Sequence, residues 1–435
     1  AHLTLESWLN ELPPSMLRNR PGLLSIRGAI AYTKGDLQGG LNLLMQSEKI
    51  FREQGDTHGL IITLVRRGSA YRFLGDYEAS LHDAEEVIAL TESNDEWQML
   101  YADALRLKGL ALYRLGKADQ AVSYLERALD LCRVHDVANV PLLLLDTGMI
   151  YRAIGNFSEA RNAYEQALQI WRKEGNLYLQ ASLLNNLGFF YQSQGEYEKS
   201  ALAYEEGLLC TRQVRDDRLT ALISIGFGDL YAELEDFDVA EQNYQNAYEI
   251  IKGMDNRFLF RFLGLSRANL GFLQGDVVSS KSAIEDVADS IRSSKSNFEN
   301  ALLGLTYGRL YLLNEDAGQA VREFTEAGRR FQEDGRIAEF TASLIWLVAA
   351  YHQAGTSEKA NQILSEAFSK RGKIPHAVLV AAHQAKDWLN GMQPTLASGR
   401  GFRDLFAQAE RLGKNIPSIR RQLRRQVQAI STPTP

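Results

Sequence analysis

Apolar, small and polar residues alternate along this chain with helical spacing, and one short pattern punctuates them at a fixed interval. The pattern is a turn glycine preceded by an aromatic and followed by small, bulky and small residues. YTKGD places Gly35 there, YRFLGDYEAS Gly75, YRLGKADQA Gly116, YRAIGNFSEA Gly155 and YQSQGEYEKS Gly195. Glu235 takes the same place in YAELEDFDVA, followed by Gly275, Glu315 in YLLNEDAGQA, and Gly355. Successive separations are 40, 41, 39, 40, 40, 40, 40 and 40 residues. A period of this length over nine units predicts a stack of helix–turn–helix hairpins, each turning at the anchor.

Around each anchor the residue types are those of two helices in close contact. Seven positions upstream stands a small residue: Gly68, Gly109, Gly148, Gly188, Gly228 or Gly308. Four upstream is Tyr71, Tyr151, Tyr191, Tyr231, Tyr311 or Tyr351. Alanines recur five downstream (Ala121, Ala160, Ala240, Ala320, Ala360) and twelve downstream (Ala128, Ala167, Ala247, Ala327, Ala367). Between them sits a bulky residue, Tyr164, Tyr204, Tyr244 or Phe324. Small residues flanking an aromatic at helical spacing predict a knob packed into a hole. Unit one, with Gly40 and Ser47, and unit seven, with Ser280, Ile284 and Val287, depart from the pattern. Asp56, Asp95, Asn176, Asp217, Asn256 and Asn297 fall where new first helices begin and are expected as N-caps or connecting turns.

These positions resemble the tetratricopeptide motif over residues 20–370. The resemblance implies an all-α right-handed superhelix, an α-solenoid of about nine repeats of 40 residues, in which stability comes from stacking. It further implies that the first helix of each repeat lines a concave groove. The expected division is an N-terminal lead-in helix over 1–20, nine repeats over 21–375, capping helices over 376–430 and a linker over 431–435.

On that geometry the groove presents a mixed surface. Arg66, Ser69 and Arg72 come from unit two, Asp103, Arg106, Leu110 and Arg114 from unit three, and Asp146, Met149 and Arg152 from unit four. Unit five supplies Ser182, Asn185, Asn186, Phe189 and Gln192. Later units add Asp229, Ser266, Asn269, Thr306, Arg309, Trp346 and His352. Arginine gives planar, bidentate recognition of carboxylate or phosphate, and side-chain amides can bond an extended peptide backbone. The bland alternative is a solvated polar face, with Asp103 and Arg106 paired along one helix. The family's clamp for chaperone tails is not present: Val65, Arg66 and Ser69, or Leu222, Ile225 and Gly226, stand where Lys and Asn would be needed.

Composition removes several function classes. Net charge is −6 and the isoelectric point near 5.8, which does not suit a general nucleic-acid binder. No apolar run approaches the ~18 residues of a membrane span. Cys132 and Cys210 read as reduced, buried thiols of a cytoplasmic protein. No phosphate loop occurs, and the seven histidines are scattered without metal-ligand spacing. Neither a catalytic constellation nor a cofactor is expected.

The ends carry a second resemblance. In LTLESWLNELPPSMLRNRPGLL, residues Trp8, Leu9, Leu12, Pro13, Leu17, Arg18, Arg20, Pro21 and Leu23 are similar to the start of the sensor region in maltose-regulator-like transcription activators of the STAND class. FRDLFAQAERLG and IPSIRRQLRRQVQAI read as two short helices, the second resembling the segment that leads to a DNA-binding module in such proteins. Arg420, Arg421, Arg424 and Arg425 form either a phosphate-contacting patch or, more simply, a basic capping helix. The start on Ala1 and the tail STPTP suggest a fragment of a larger regulator. Three readings stay open: a sensor in which a small-molecule inducer occupies the groove and controls self-association, a peptide receptor of quorum-sensing type centred on Asn185 and Asn186, and a passive protein-binding scaffold.

Overall fold

The structure is a computed structural model that describes residues 20–33, 36–254, 256–294, 296–367, 374–392 and 399–431. Most of the lead-in motif, the anchor Gly35 and the tail 432–435 lie outside these residues. The chain divides into two compact units, residues 1–167 and 168–435.

The first unit contains α1 (Pro21–Thr33), α2 (Leu37–Gln54), α3 (Thr57–Leu74), α4 (Tyr77–Thr91), α5 (Gln98–Arg114), α6 (Ala118–His135), α7 (Val140–Ala153) and most of α8 (Phe157–Glu174). The second begins in α8 and continues with α9 (Leu177–Ser193), α10 (Tyr197–Val214), α11 (Asp217–Glu233), α12 (Phe237–Ile251), α13 (Arg257–Gln274) and α14 (Val277–Arg292). It is completed by α15 (Asn297–Leu313), α16 (Ala317–Glu333), α17 (Ile337–Gln353), α18 (Ser357–Ala367), α19 (His376–Gln384), α20 (Lys386–Leu389) and α21 (Gly399–Ser431). From α1 to α18 consecutive helices pair as the nine predicted hairpins. Within each unit, first helices of successive repeats also lie side by side.

The anchors turn as their spacing requires. Gly75, Gly116, Gly155, Gly195, Gly275 and Gly355 all adopt left-handed backbone, and so do Glu235 (φ 56°) and Glu315 (φ 60°) in the two repeats that lack glycine. A left-handed residue ends the first helix and lets the next amides bond back to its last carbonyls. A second left-handed series, at Gly55, Gly175, Arg215 and Gly335, ends second helices.

The caps differ in part from expectation. Asp56, Asn176 and Asn256 accept from the amide three residues on, as predicted, at Gly59, Leu179 and Leu259. At two sites the cap lies one residue earlier, Asp216 and Ser296 accepting rather than Asp217 and Asn297, while Asp95 lies in a connecting 3₁₀ turn that Asn94 caps through the Glu96 amide. The oxygen must precede the first helical residue to reach that amide. Asp36, Asp76, Asp276 and Asp316 cap second helices in the same manner.

Knobs and holes are realised within each hairpin. Tyr164, Tyr204, Tyr244 and Phe324 are fully buried, each against the glycine sixteen residues before it. A β-carbon at Gly228 would lie 2.4 Å from Cε1 of Tyr244. In unit seven Ser280 keeps the close approach, its hydroxyl donating to the Ala268 carbonyl at 2.9 Å, while Ile284 and Val287 fill the knob side. A further core position follows the anchor by sixteen residues: Phe51, Thr91, Cys132, Trp171, Thr211, Ile251, Ile291 and Phe331 are all buried there. Burial pushes the Cys132 thiol up to about 11, which keeps it protonated and unreactive.

Beyond the repeats, the two expected short helices are one. α21 runs unbroken through Pro417, which removes a backbone donor and crowds the carbonyl four residues back at a cost of about 3 kcal/mol. Phe402, Leu405, Ala409, Ile416 and Leu423 stay buried on one face across that point. Each large apolar side chain contributes about 1.5–3 kcal/mol, so docking outweighs the local cost.

Two substitutions test this hairpin geometry in opposite directions. Gly228→Ala is expected to lower unfolding free energy by about 1–3 kcal/mol through overpacking. Glu315→Gly, which relieves left-handed strain of about 1 kcal/mol, is expected to raise the denaturation midpoint or leave it level. Denaturant titration of both variants checks the pair.

Candidate functional site

The inner face of the first unit is built by α1, α3, α5 and α7, and the repeat period brings equivalent side chains of neighbouring repeats together. Arg66 donates from Nη1 to Ser25 Oγ at 2.9 Å, and Thr63 donates to the same oxygen at 3.1 Å. Arg106 donates from Nε to Asp146 Oδ2 at 2.6 Å, forty residues away on the next repeat. Asp103, the alternative intrahelical partner, still acts on Arg106 through its charge, but the hydrogen-bonded ion pair is made between repeats. The Arg72 guanidinium lies over the Phe73 ring at 4.8 Å, and its buried Nε has no hydrogen-bond partner among the described residues. Arg114 lies 5.8 Å from the Tyr113 ring centre. Ser69 turns its hydroxyl to the Val65 carbonyl of its own helix, at 2.9 Å.

These groups share one electrostatic environment. Burial lowers Arg72 below the usual arginine value, with Arg106 and Arg114 adding to the fall and Asp146 opposing it. Burial lowers Arg66 as well. Tyr32 of α1 is raised by burial and feels Arg66, Arg72 and Arg106 together. Arg67, on another face of α3, shows the contrast. Burial alone would lower it, but bidentate bonds to Asp83 at 2.9 and 2.6 Å and a contact to Glu48 carry it above the ordinary value. Met149 is half-buried on α7, and Arg152 is engaged by the Tyr164 hydroxyl.

The second unit is arranged differently. Arg309 bonds Asn269 Oδ1 and lies 4.6 Å from the Trp346 ring centre and 5.6 Å from that of Phe272. Trp388 of α20 stacks on Phe272 at 5.8 Å, and α19 and α21 join the same apolar cluster. The first-helix face of repeats seven to nine is therefore covered by the chain's own C-terminal segment. Burial lowers Arg309 to about 10. α19 and α21 then reach the anchor turns of repeats five and six. His376 Nε2 meets the Tyr197 hydroxyl at 2.8 Å, and His383 Nε2 meets Glu235 Oε1 at 3.0 Å. Arg420 donates to the Glu235 carbonyl at 2.8 Å, and Arg424 bonds both Asp236 oxygens at 2.7 and 2.5 Å. Two of the four basic residues read as a phosphate patch thus serve as docking contacts.

A tetratricopeptide-repeat profile matches residues 100–173 and 179–252, and a second matches 65–133. A profile named for anaphase-promoting complex subunit 5 matches residues 231–354. Among solved structures, a Rap protein complexed with Competence and Sporulation Factor is 14% identical, with 85% of this chain and 99% of that one covered at a TM-score of 0.59. NprR in complex with its cognate peptide NprX is 16% identical over 77% of this chain and 98% of its own, at 0.57. The apo form of the quorum sensor NprR from B. thuringiensis is 16% identical over 78% and 98%, at 0.53. No curated protein matches the chain. The fold is a tetratricopeptide-type α-solenoid.

Within this solenoid the predicted groove residues separate into groups. Arg72 lies within electrostatic reach of Arg106 and Arg114, while Arg66 bonds Ser25 and acts on Tyr32. Asn185 and Asn186 are half-buried on α9, with Phe189 exposed beside them. Gln192 is buried and donates to Glu233 Oε2 at 2.9 Å, and Asp229 accepts from the Tyr244 hydroxyl at 2.7 Å. Those two, with Arg309, are turned to internal contacts rather than an open groove. Sequence reasoning missed Tyr32 and Ser25, whose repeat departs most from the pattern. Among the described residues no cluster of three or more His, Cys, Asp or Glu is placed to hold a metal, and no helix is long and apolar enough to cross a membrane.

Asp229 gives a pH test of the internal contacts. Burial pushes its carboxyl up to about 6 despite the Tyr244 and Ser266 hydrogen bonds. A raised acid binds more protons folded than unfolded, so its contribution favours folding at low pH and is lost as pH rises from about 4 to about 6. Asp229→Asn is expected to flatten that slope and to stabilise the protein at pH 7 by on the order of 2 kcal/mol. Unfolding midpoints measured from pH 4 to 7.5 for both proteins check this.

Proposed function

We propose that this chain is a peptide-binding receptor that works by binding rather than by catalysis, with the inner face of the first unit as its site. One observation carries the reading. Arg72 is held on that face with its Nε buried and unpartnered among the described residues, beside half-buried arginines and hydroxyls. Such a surface is costly when empty and is relieved by a polar ligand. An extended backbone suits it, since amide donors and acceptors can meet hydroxyls and guanidinium groups along successive repeats. The likeness of the fold to NprR in complex with its cognate peptide, and to a Rap protein complexed with Competence and Sporulation Factor, supports the same reading. Asn185 and Asn186 offer a second set of amides in the other unit.

A place in a larger STAND-type regulator, with a small-molecule inducer, rests on a motif from Trp8 to Leu23, of which Trp8 to Arg18 lie outside the described residues, and on a C-terminal segment that is occupied in docking. The peptide reading is therefore preferred. Selection of displayed random octapeptides on the immobilised full chain tests it. Enrichment of a consensus whose synthetic peptide binds saturably is expected. Stabilisation by small metabolites with no peptide enrichment would overturn the peptide reading in favour of an inducer.

A further inference from the structure

We infer that Arg66, Arg72, Arg106 and Arg114, with Tyr32, form an anchoring subsite for a carboxylate of the bound ligand. The inference rests on the peptide-binding reading above and names the chemistry its site recognises.

Arg72 of α3 feels the charges of Arg106 and Arg114 of α5, and Tyr32 feels those of Arg66, Arg72 and Arg106. Among the described residues, Arg106 is the one of the four that is hydrogen-bonded to a carboxylate, that of Asp146. Arg66 bonds a neutral hydroxyl, Ser25. Arg72 rests on an aromatic ring with its Nε buried and unpartnered among the described residues. Arg114 stands beside the Tyr113 ring. Elsewhere in the protein, shielded arginines are given acids: Arg67 has Asp83 and Glu48, and Arg261 has both oxygens of Glu299 at 2.8 and 3.2 Å. Arg309 has none, but it is enclosed by Trp346 and Phe272 and bonded to Asn269. The first-unit cluster is thus the place where several cations converge with a donor left over.

Desolvating a guanidinium without a counter-charge is unfavourable, and a carboxylate supplies two acceptors in the plane that the guanidinium fork matches. Asp146, bonded to Arg106, and Asp103, which also acts on it, disfavour a dianion. Arg66 and Arg72 lie six residues apart on α3, and Arg106 joins them from α5. The subsite therefore spans two repeats, and a carboxylate there fixes the register of a chain lying across them. The carboxylate has two possible sources, an acidic side chain or a free C-terminus.

The test uses the full chain and matched octapeptide pools in which one position is Glu, Gln or phosphoserine and the C-terminus is free or amidated. Retention of the Glu pool, or of the free-terminus pool, at least tenfold above its neutral counterpart is expected, and which pool is retained identifies the source. Arg72→Met is expected to bring that ratio to about one. It is also expected to leave the melting temperature equal to or above that of the parent, because an unpaired cation has been removed. Equal retention of Glu and Gln pools and of free and amidated termini overturns the carboxylate subsite while leaving peptide binding intact. Preference for phosphoserine over Glu, or a melting temperature lowered by Arg72→Met, overturns it too. Absence of binding by every pool removes both this inference and the peptide reading.

Discussion

The two helices of a repeat approach closely because an aromatic side chain on the second enters a gap left by a glycine on the first. Gly228 with Tyr244, and equally Gly308 with Phe324, leave no room for even a methyl group between the helices. Everything outward from that contact follows. The anchor must be left-handed so that the second helix returns at the correct angle, and the alanines must stay small so that the next hairpin can stack. The face of the first helix that does not meet its partner is then free to carry polar residues in register with those of neighbouring repeats. Arg106 reaches Asp146 because the period places them on adjacent first helices.

This explains what was legible in the sequence. The knob, hole and anchor positions are set by contacts within a repeat, so they recur and can be counted. Even Glu235 and Glu315 could be placed, because eight separations leave no freedom for the turn to move. The buried series sixteen residues past the anchor was less legible. Its members range from Thr91 and Cys132 to Trp171 and Phe331, since the space there differs from repeat to repeat. Caps were misplaced by one residue where two polar residues stand together, as at Asp216 and Asp217, and spacing alone does not distinguish them.

The site was legible only as a face. Helical position told which first-helix residues share a face, and Arg72 of unit two lies within electrostatic reach of Arg106 and Arg114 of unit three. It could not tell that Gln192, Asp229 and Arg309 are turned to internal partners, because those partners are Glu233, Tyr244 and Trp346 on other helices. Nor could a period reveal what the non-repeating end does. Helices α19 to α21 pack onto the first-helix face of repeats seven to nine and reach the turns of repeats five and six, with Arg424 fixed to Asp236. The same physical surface is therefore used in two ways, covered by the chain itself in one unit and polar and unsaturated in the other.

The central claim is that ligand is taken up by the first unit's inner face. Hydrogen–deuterium exchange of the full chain, with and without an octapeptide retained by it, tests this most directly. The account predicts added protection over 21–33, 57–74 and 98–114, with exchange over 257–313 and 399–431 unchanged. Protection confined to 257–353, or faster exchange over 399–431 as the C-terminal helix is displaced, would contradict it.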